Sequence, residues 1–155
     1  MNGGRIYQNT SVNVVNSKGQ QIEPPWRVMP GRLSVSRSFG DAMAKLPQYG
    51  GTPGVIIAVP EIHAFPINAN IDWLLIGCDG IFDQLSNEQI ADTVWAETRK
   101  QVRIHSVSSG LPELAEKCCG AAVNAVIRQA METESTDNLS VVLLFFKNFL
   151  QNAEE

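Results

Sequence analysis

Residues 73–86 read WLLIGCDGIFDQLS, and residues 137–146 read DNLSVVLLFF. In the first, Trp73 to Cys78 is apolar at odd and even positions alike, which predicts a strand with no polar face and a central place in its sheet. An Asp-Gly pair, Asp79-Gly80, follows directly. The second stretch reverses the order: Asp137-Asn138 comes first, and an apolar strand from Leu139 to Phe146 follows. If the two strands are antiparallel neighbours, the end of one lies beside the start of the other, and both aspartates meet at one sheet edge. Two close carboxylates repel unless a cation or a proton sits between them. Oxygen-only ligands suit hard divalent ions, magnesium or manganese, better than zinc. The plainer alternative is that each aspartate closes a turn, a common place for that residue. Spacing alone leaves both open.

Upstream, Glu61 to Ile67 and Asp72 to Cys78 read as arms of a hairpin joined by the polar Asn68-Ala69-Asn70. Ser11 to Asn16 predicts another strand, broken at Ser17-Lys18-Gly19. Pro24-Pro25 and Pro30-Gly31 bracket a short extended piece, Trp26 to Met29. Leu33 to Ser36 reads as a strand, Ser38 to Leu46 as a short helix, and Gln48 to Gly54 as a surface loop. Downstream, Ser86-Asn87-Glu88-Gln89 fits a capping box, and Ile90, Val94 and Trp95 carry a helix to about Lys100. Gln101 to Gly110 reads as a loop. Pro112 suits a first helical turn, and Leu114, Cys118, Ala121, Ala122, Ala125 and Ile127 to Ala130 predict a long helix. The tail from Lys147 is polar and is expected to fray. Strands, then two helices, then a closing strand would fit a parallel α/β sheet. The early hairpins favour instead an antiparallel sheet with helices on one face, an α+β class. We expect one domain over residues 1–150 and a polar tail at 151–155.

The 155-residue length suits a single domain. Hydrophobic residues make up 44% of the chain and charged ones 18%, which supports a core and argues against disorder. A net charge of −4 speaks against a dedicated nucleic-acid surface. The longest apolar run falls far short of the roughly 20 residues that span a bilayer. No apolar leader segment follows Met1, so the sequence predicts no membrane association and an intracellular protein, cytoplasmic or nuclear. Cys78, Cys118 and Cys119 are odd in number, a poor start for a disulfide framework. There is no Cys-x-x-Cys, and His63 and His105 stand apart, so zinc has no ligand set. Neither Cys118 nor Cys119 has an arginine six residues on, as a cysteine-nucleophile phosphatase loop requires. The thiols read as small buried side chains.

Gly31 to Asp41, GRLSVSRSFGD, resembles the G-x-L-A-V-S-R-A-L-G-D segment of the metal-dependent protein phosphatases (the PPM family, protein phosphatase type 2C). WLLIGCDGIFDQLS at 73–86 resembles that family's F-L-I-L-A-C-D-G-L-W-D-V-L-S, and DNLSVVL at 137–143 resembles its D-N-I-T-V-I-V. Val59-Pro60-Glu61 matches a Pro-Glu that the family carries between the first two. The four matches keep their order across Gly3 to Phe146. The resemblance implies an antiparallel β-sandwich flanked by α-helices, and a serine/threonine phosphatase acting on phosphoproteins. It implies two magnesium or manganese ions bridged by a water or hydroxide that attacks phosphorus in line, without a covalent phospho-enzyme. By the motif match, Asp79 and Asp137 are ligands of one of those ions, and no catalytic residue beyond such ligands is assigned. Gly80 lets backbone approach the site closely. Asn138 orients Asp137, and Asp41 is a turn or supporting contact. Asp83 reads as a helix-start residue. Arg32 and Arg37 read as ion pairs beneath their loop, with phosphate contact the alternative.

The family's Asp-Gly-His metal motif, its bridging aspartate, its phosphate-binding arginine and the histidine proposed as general acid have no match in the 155 residues. The opening Met1-Asn2-Gly3-Gly4-Arg5-Ile6 resembles a junction in mid-domain. The chain is therefore expected to hold the C-terminal half of the fold, to leave apolar sheet faces bare, and to be inactive alone. Three readings follow. It is a fragment of a complete phosphatase, or half of a split enzyme whose N-terminal half is a separate segment or chain, or a non-catalytic pseudophosphatase or protein-binding module. Retention of both aspartates favours the first two.

Overall fold

The apolar run that begins at Trp73 forms β5 (Trp73–Gly77), and it pairs antiparallel with β6 (Val141–Phe145), Trp73 opposite Phe145 and Gly77 opposite Val141. The structure is a computed structural model describing residues 3–11, 13–15, 21–105, 110–133, 135–146 and 149–152. It divides into two compact units, residues 1–64 and 65–155.

In the second unit the β5–β6 pair lays one face on the helices. Trp73, Leu75, Val141, Leu143 and Phe145 pack against a buried cluster of Ile81, Leu85, Ile90, Val94, Ala122, Val126 and Ala130. The pleat sends Leu74, Ile76, Val142 and Leu144 to the opposite face, where they are exposed. Among the described residues the sheet has two strands, so neither strand holds the central place expected of it. Lack of polar alternation shows that a strand tolerates burial on both faces; what covers each face is decided by other elements.

Between the strands come α2 (Asp79–Phe82), α3 (Asn87–His105) and α4 (Leu111–Glu132). The capping box closes in both directions: Gln89 N donates to Ser86 Oγ at 3.2 Å, and Ser86 N donates to Gln89 Oε1 at 2.8 Å. Buried Ile90, Val94, Thr98 and Val102 on α3 recur every fourth residue, as do Leu114, Cys118, Ala122, Val126 and Ala130 on α4. Such rows form ridges along each helix. The small α4 residues let the two backbones come close, and buried Thr98 satisfies its hydroxyl on Val94 O at 2.7 Å. Because Val102 extends the buried row, α3 runs to His105 and overturns the loop expected from Gln101; 106–109 lie outside the described residues. The fraying expected from Lys147 onward is corrected at α5 (Phe149–Asn152); residues 153–155 lie outside the described residues. Phe149 is fully buried, with its ring centroid 3.5 Å from that of Phe145 and 5.0 Å from that of Trp95. One aromatic residue anchors a segment whose composition reads as solvated.

In the first unit β1 (Arg5–Gln8) pairs antiparallel with β4 (Trp26–Met29), and β2 (Val14–Val15) with β3 (Gln21–Ile22). The expected break at Ser17-Lys18-Gly19 lies outside the described residues. α1 (Ala42–Lys45) and a 3-10 turn at Pro47–Tyr49 follow. Leu33 to Ser36 forms no strand, only a single bridge from Leu33 to Val28. Glu61 to Ile67 forms none either: Pro66 has no amide to donate, and β5 pairs with the distant β6 instead. Antiparallel pairs with helices make an α+β protein, the class the sequence predicts. Among the described residues no helix is long and apolar enough to cross a membrane.

Candidate metal centre

The chain changes from strand to helix at Cys78, which is extended (φ −86°, ψ 174°), and Asp79 stands in the first turn of α2. One residue beyond the β5–β6 register, Cys78 N still donates to Ser140 O at 3.2 Å. The Cys78 thiol then spans the two segments. Sγ donates to Asn138 O at 2.9 Å and accepts from Ser140 N at 3.2 Å. Ser135 Oγ donates to Gly80 O at 3.1 Å. Gly80 is buried, and a Cβ there would collide with the Asn138 carbonyl oxygen. These contacts bind the 135–140 segment to the start of α2 and bring Asp79 and Asp137 to the same end of the strand pair.

Both carboxylates are exposed. Asp79 Oδ1 accepts from Gly80 N at 3.1 Å, and Asp137 Oδ1 accepts from Asn138 N at 2.7 Å. Each is thereby oriented by the next amide, while its second oxygen has no hydrogen-bond partner among the described residues. Two hard oxygen donors at one sheet end fit a divalent ion of the magnesium or manganese type. No group of three or more His, Cys, Asp or Glu able to hold a metal occurs among the described residues.

Of the other singled-out residues, Asn138 contributes its backbone, with its amide on Asp137 and its carbonyl on Cys78. Asp41 lies in the first unit with left-handed backbone (φ 52°), preceding α1, where its carbonyl accepts from Ala44 N at 2.9 Å. Asp83 terminates α2, its amide donating to Asp79 O at 2.8 Å. That corrects its reading as a helix-start residue, because α2 is one turn long and begins at Asp79. Arg37 makes the expected ion pair, 2.7 Å to Glu61, and donates to Val59 O at 2.8 Å. Arg32 pairs with no carboxylate among the described residues. Sequence reasoning missed Cys78, Ser135 and Ser140 as positioning residues. Only Cys78 carried a signal, its place beside Asp79; the serines declare themselves through pairing alone.

The family model described as protein phosphatase 2C matches residues 2–139. Among curated proteins, the chain is 30% identical to "Probable protein phosphatase 2C 72" of Arabidopsis thaliana, over 83% of this chain and 33% of that protein. It is 36% identical to "Probable protein phosphatase 2C 61" of Arabidopsis thaliana, over 77% of this chain and 31% of the relative. It is 32% identical to "Probable protein phosphatase 2C 2" of Oryza sativa subsp. japonica, over 75% and 26% respectively. The matches thus span about a third or less of each of these relatives.

Proposed function

The chain belongs to the protein phosphatase 2C family, and from that premise we propose that it carries part of a metal-dependent phosphoserine/phosphothreonine phosphatase site, with Asp79 and Asp137 as ligands of a magnesium or manganese ion. Support comes above all from the juxtaposition at Cys78, where thiol and amide bonds hold both aspartate-bearing segments at one sheet end. Bound there, such ions would supply Lewis acidity for activating water and positive charge for the phosphoryl oxygens. The amides of Gly80 and Asn138 fix each carboxylate, so little side-chain freedom is lost on binding. Gly80, lacking a side chain, leaves the close approach to Asn138 open.

Two carboxylates are too few to hold two ions. The same shortage, no group of three or more His, Cys, Asp or Glu side chains able to hold a metal among the described residues, favours a second reading, a non-catalytic pseudophosphatase or protein-binding module. We propose that the chain alone turns over phosphoproteins at no useful rate, and that a second segment or chain bearing the Asp-Gly-His motif completes the site. Three free cysteines fit a reducing compartment, cytoplasm or nucleus. The test is phosphate release from a phosphothreonine peptide by the chain alone and after mixing with an N-terminal type 2C segment carrying Asp-Gly-His. Metal-dependent release only in the mixture is expected, and Asp79→Asn or Asp137→Asn should remove most of it while the circular dichroism spectrum stays the same. Full activity in either variant overturns the ligand assignment. Release by neither sample favours the binding-module reading.

A further inference from the structure

The two units differ in charge: residues 1–64 contain six Lys and Arg against three Asp and Glu, and residues 65–155 contain six against thirteen. Part of the first unit's excess gathers at one place. Arg5, Tyr7 and Asn9 alternate along β1 and just beyond it, so they share a face. Met29 lies directly opposite Arg5 in the β1–β4 register. Together with Arg32 they line a cavity of about 400 Å³. Arg32 reaches it from the turn after β4 with left-handed backbone (φ 58°), held there as its carbonyl accepts from Arg27 Nη1 at 2.8 Å. Arg37 has Glu61 as its counterion, whereas neither Arg5 nor Arg32 pairs with a carboxylate among the described residues.

Two guanidinium groups lining one small cavity repel each other until an anion enters. Their planar forks match the oxygens of a phosphoryl group bidentately. Tyr7 adds a hydroxyl and Asn9 an amide, and the Tyr7 ring with Met29 gives an apolar wall for an organic body attached to the anion. We infer that this pocket is an oxyanion subsite that receives a phosphorylated side chain of a peptide. The choice of a phosphopeptide over free phosphate rests on the phosphatase reading; the pocket's preference for an oxyanion does not.

The test uses the full chain in chelator, so that no divalent ion contributes, with a fluorescent phosphoserine peptide followed by polarisation. Arg32→Gly keeps the left-handed backbone and removes the guanidinium; Arg5→Gln keeps the length of an exposed strand residue. Each should weaken binding about tenfold or more, and Arg32→Lys by less, since charge stays but the fork is lost. Arg99→Gln, where Arg99 stacks over Trp95 in α3 at 5.6 Å, controls for net charge and should leave affinity unchanged. The unphosphorylated peptide should bind at least tenfold more weakly. If inorganic phosphate competes while the phosphopeptide binds no better than it, the oxyanion pocket stands and the phosphatase reading of its ligand fails. Loss of affinity in Arg99→Gln equal to that in Arg32→Gly, or no loss in Arg5→Gln and Arg32→Gly with unchanged circular dichroism, overturns the inference.

Discussion

Gly80 separates two effects that pull in opposite directions. In a helix, alanine is favoured over glycine by about 1 kcal/mol, so propensity alone would make Gly80→Ala stabilising. The added Cβ, however, meets the carbonyl oxygen of Asn138, a backbone atom that cannot swing away. We expect the clash to win, with a loss of roughly 1–3 kcal/mol in urea unfolding; a gain in stability would show that the 135–140 segment yields. Cys118 links stability to alkaline pH. Burial, and secondarily the neighbouring Cys119, push its pKa from 9.0 up to about 11. Between those values the unfolded chain gives up a proton that the folded chain keeps, so stability is full below about pH 9 and falls toward pH 11. The loss should reach about 2–3 kcal/mol. The stability difference between wild type and Cys118→Ala should shrink by that amount across the window, and a constant difference would refute the linkage. Gly80 was legible in the sequence as a small residue beside an aspartate. The carbonyl that demands its smallness comes from 58 residues downstream in the chain, at Asn138.

Local chemistry and distant packing contribute unequally at the scale of elements. The start of α3 is written in four consecutive residues, and the structure closes the capping box that Ser86 and Gln89 spell. The end of α3 and the whole of α5 are set by what lies across from them. Val102 and Phe149 join Leu114 and Cys118 in one buried cluster, with Trp73, Trp95 and Phe145 against it. Phe149→Ala should therefore cost about 3–5 kcal/mol, against about 1 kcal/mol for Ser86→Ala. Chemical denaturation of both variants checks the order, and an inconsequential Phe149→Ala would mean that α5 is not part of the core. The same logic explains why the hairpin expected over 61–78 failed. A loop of polar residues such as Asn68-Ala69-Asn70 suggests a turn, but β5 paired with β6 lays Trp73, Leu75, Val141, Leu143 and Phe145 together on the buried cluster, and burial of apolar surface favours that pairing.

For the molecule as a whole, the bare face of the β5–β6 pair is the feature with a measurable consequence. Leu74, Ile76, Val142 and Leu144 stand side by side on it, with Ile76 55% and Val142 56% exposed. Adjacent exposed aliphatic residues on a strand pair form a continuous patch, of the kind that drives association. The purified chain should bind an apolar dye such as ANS and show concentration-dependent association in sedimentation. Ile76→Thr with Val142→Thr keeps strand propensity and should lower dye fluorescence severalfold without changing the β5–β6 register. Absence of dye binding by the wild-type chain would mean that the face is covered in solution.

The antiparallel pairing of β5 with β6 was only a condition in the sequence, and the structure supplies it. Class, the α3 cap and the two aspartates flanking apolar strands were legible there, because each rests on periodicity or on chemistry within a few residues. Family membership was legible for the same reason, in four short segments kept in order. A bare apolar sheet face was expected from the sequence; only tertiary structure decided that it is the face of Leu74, Ile76, Val142 and Leu144, that Phe149 belongs to the core, and that Cys78 joins the aspartate-bearing segments. Each of these depends on atoms more than a helix length apart along the chain, brought together by burial, and burial leaves no mark on the local pattern of residues.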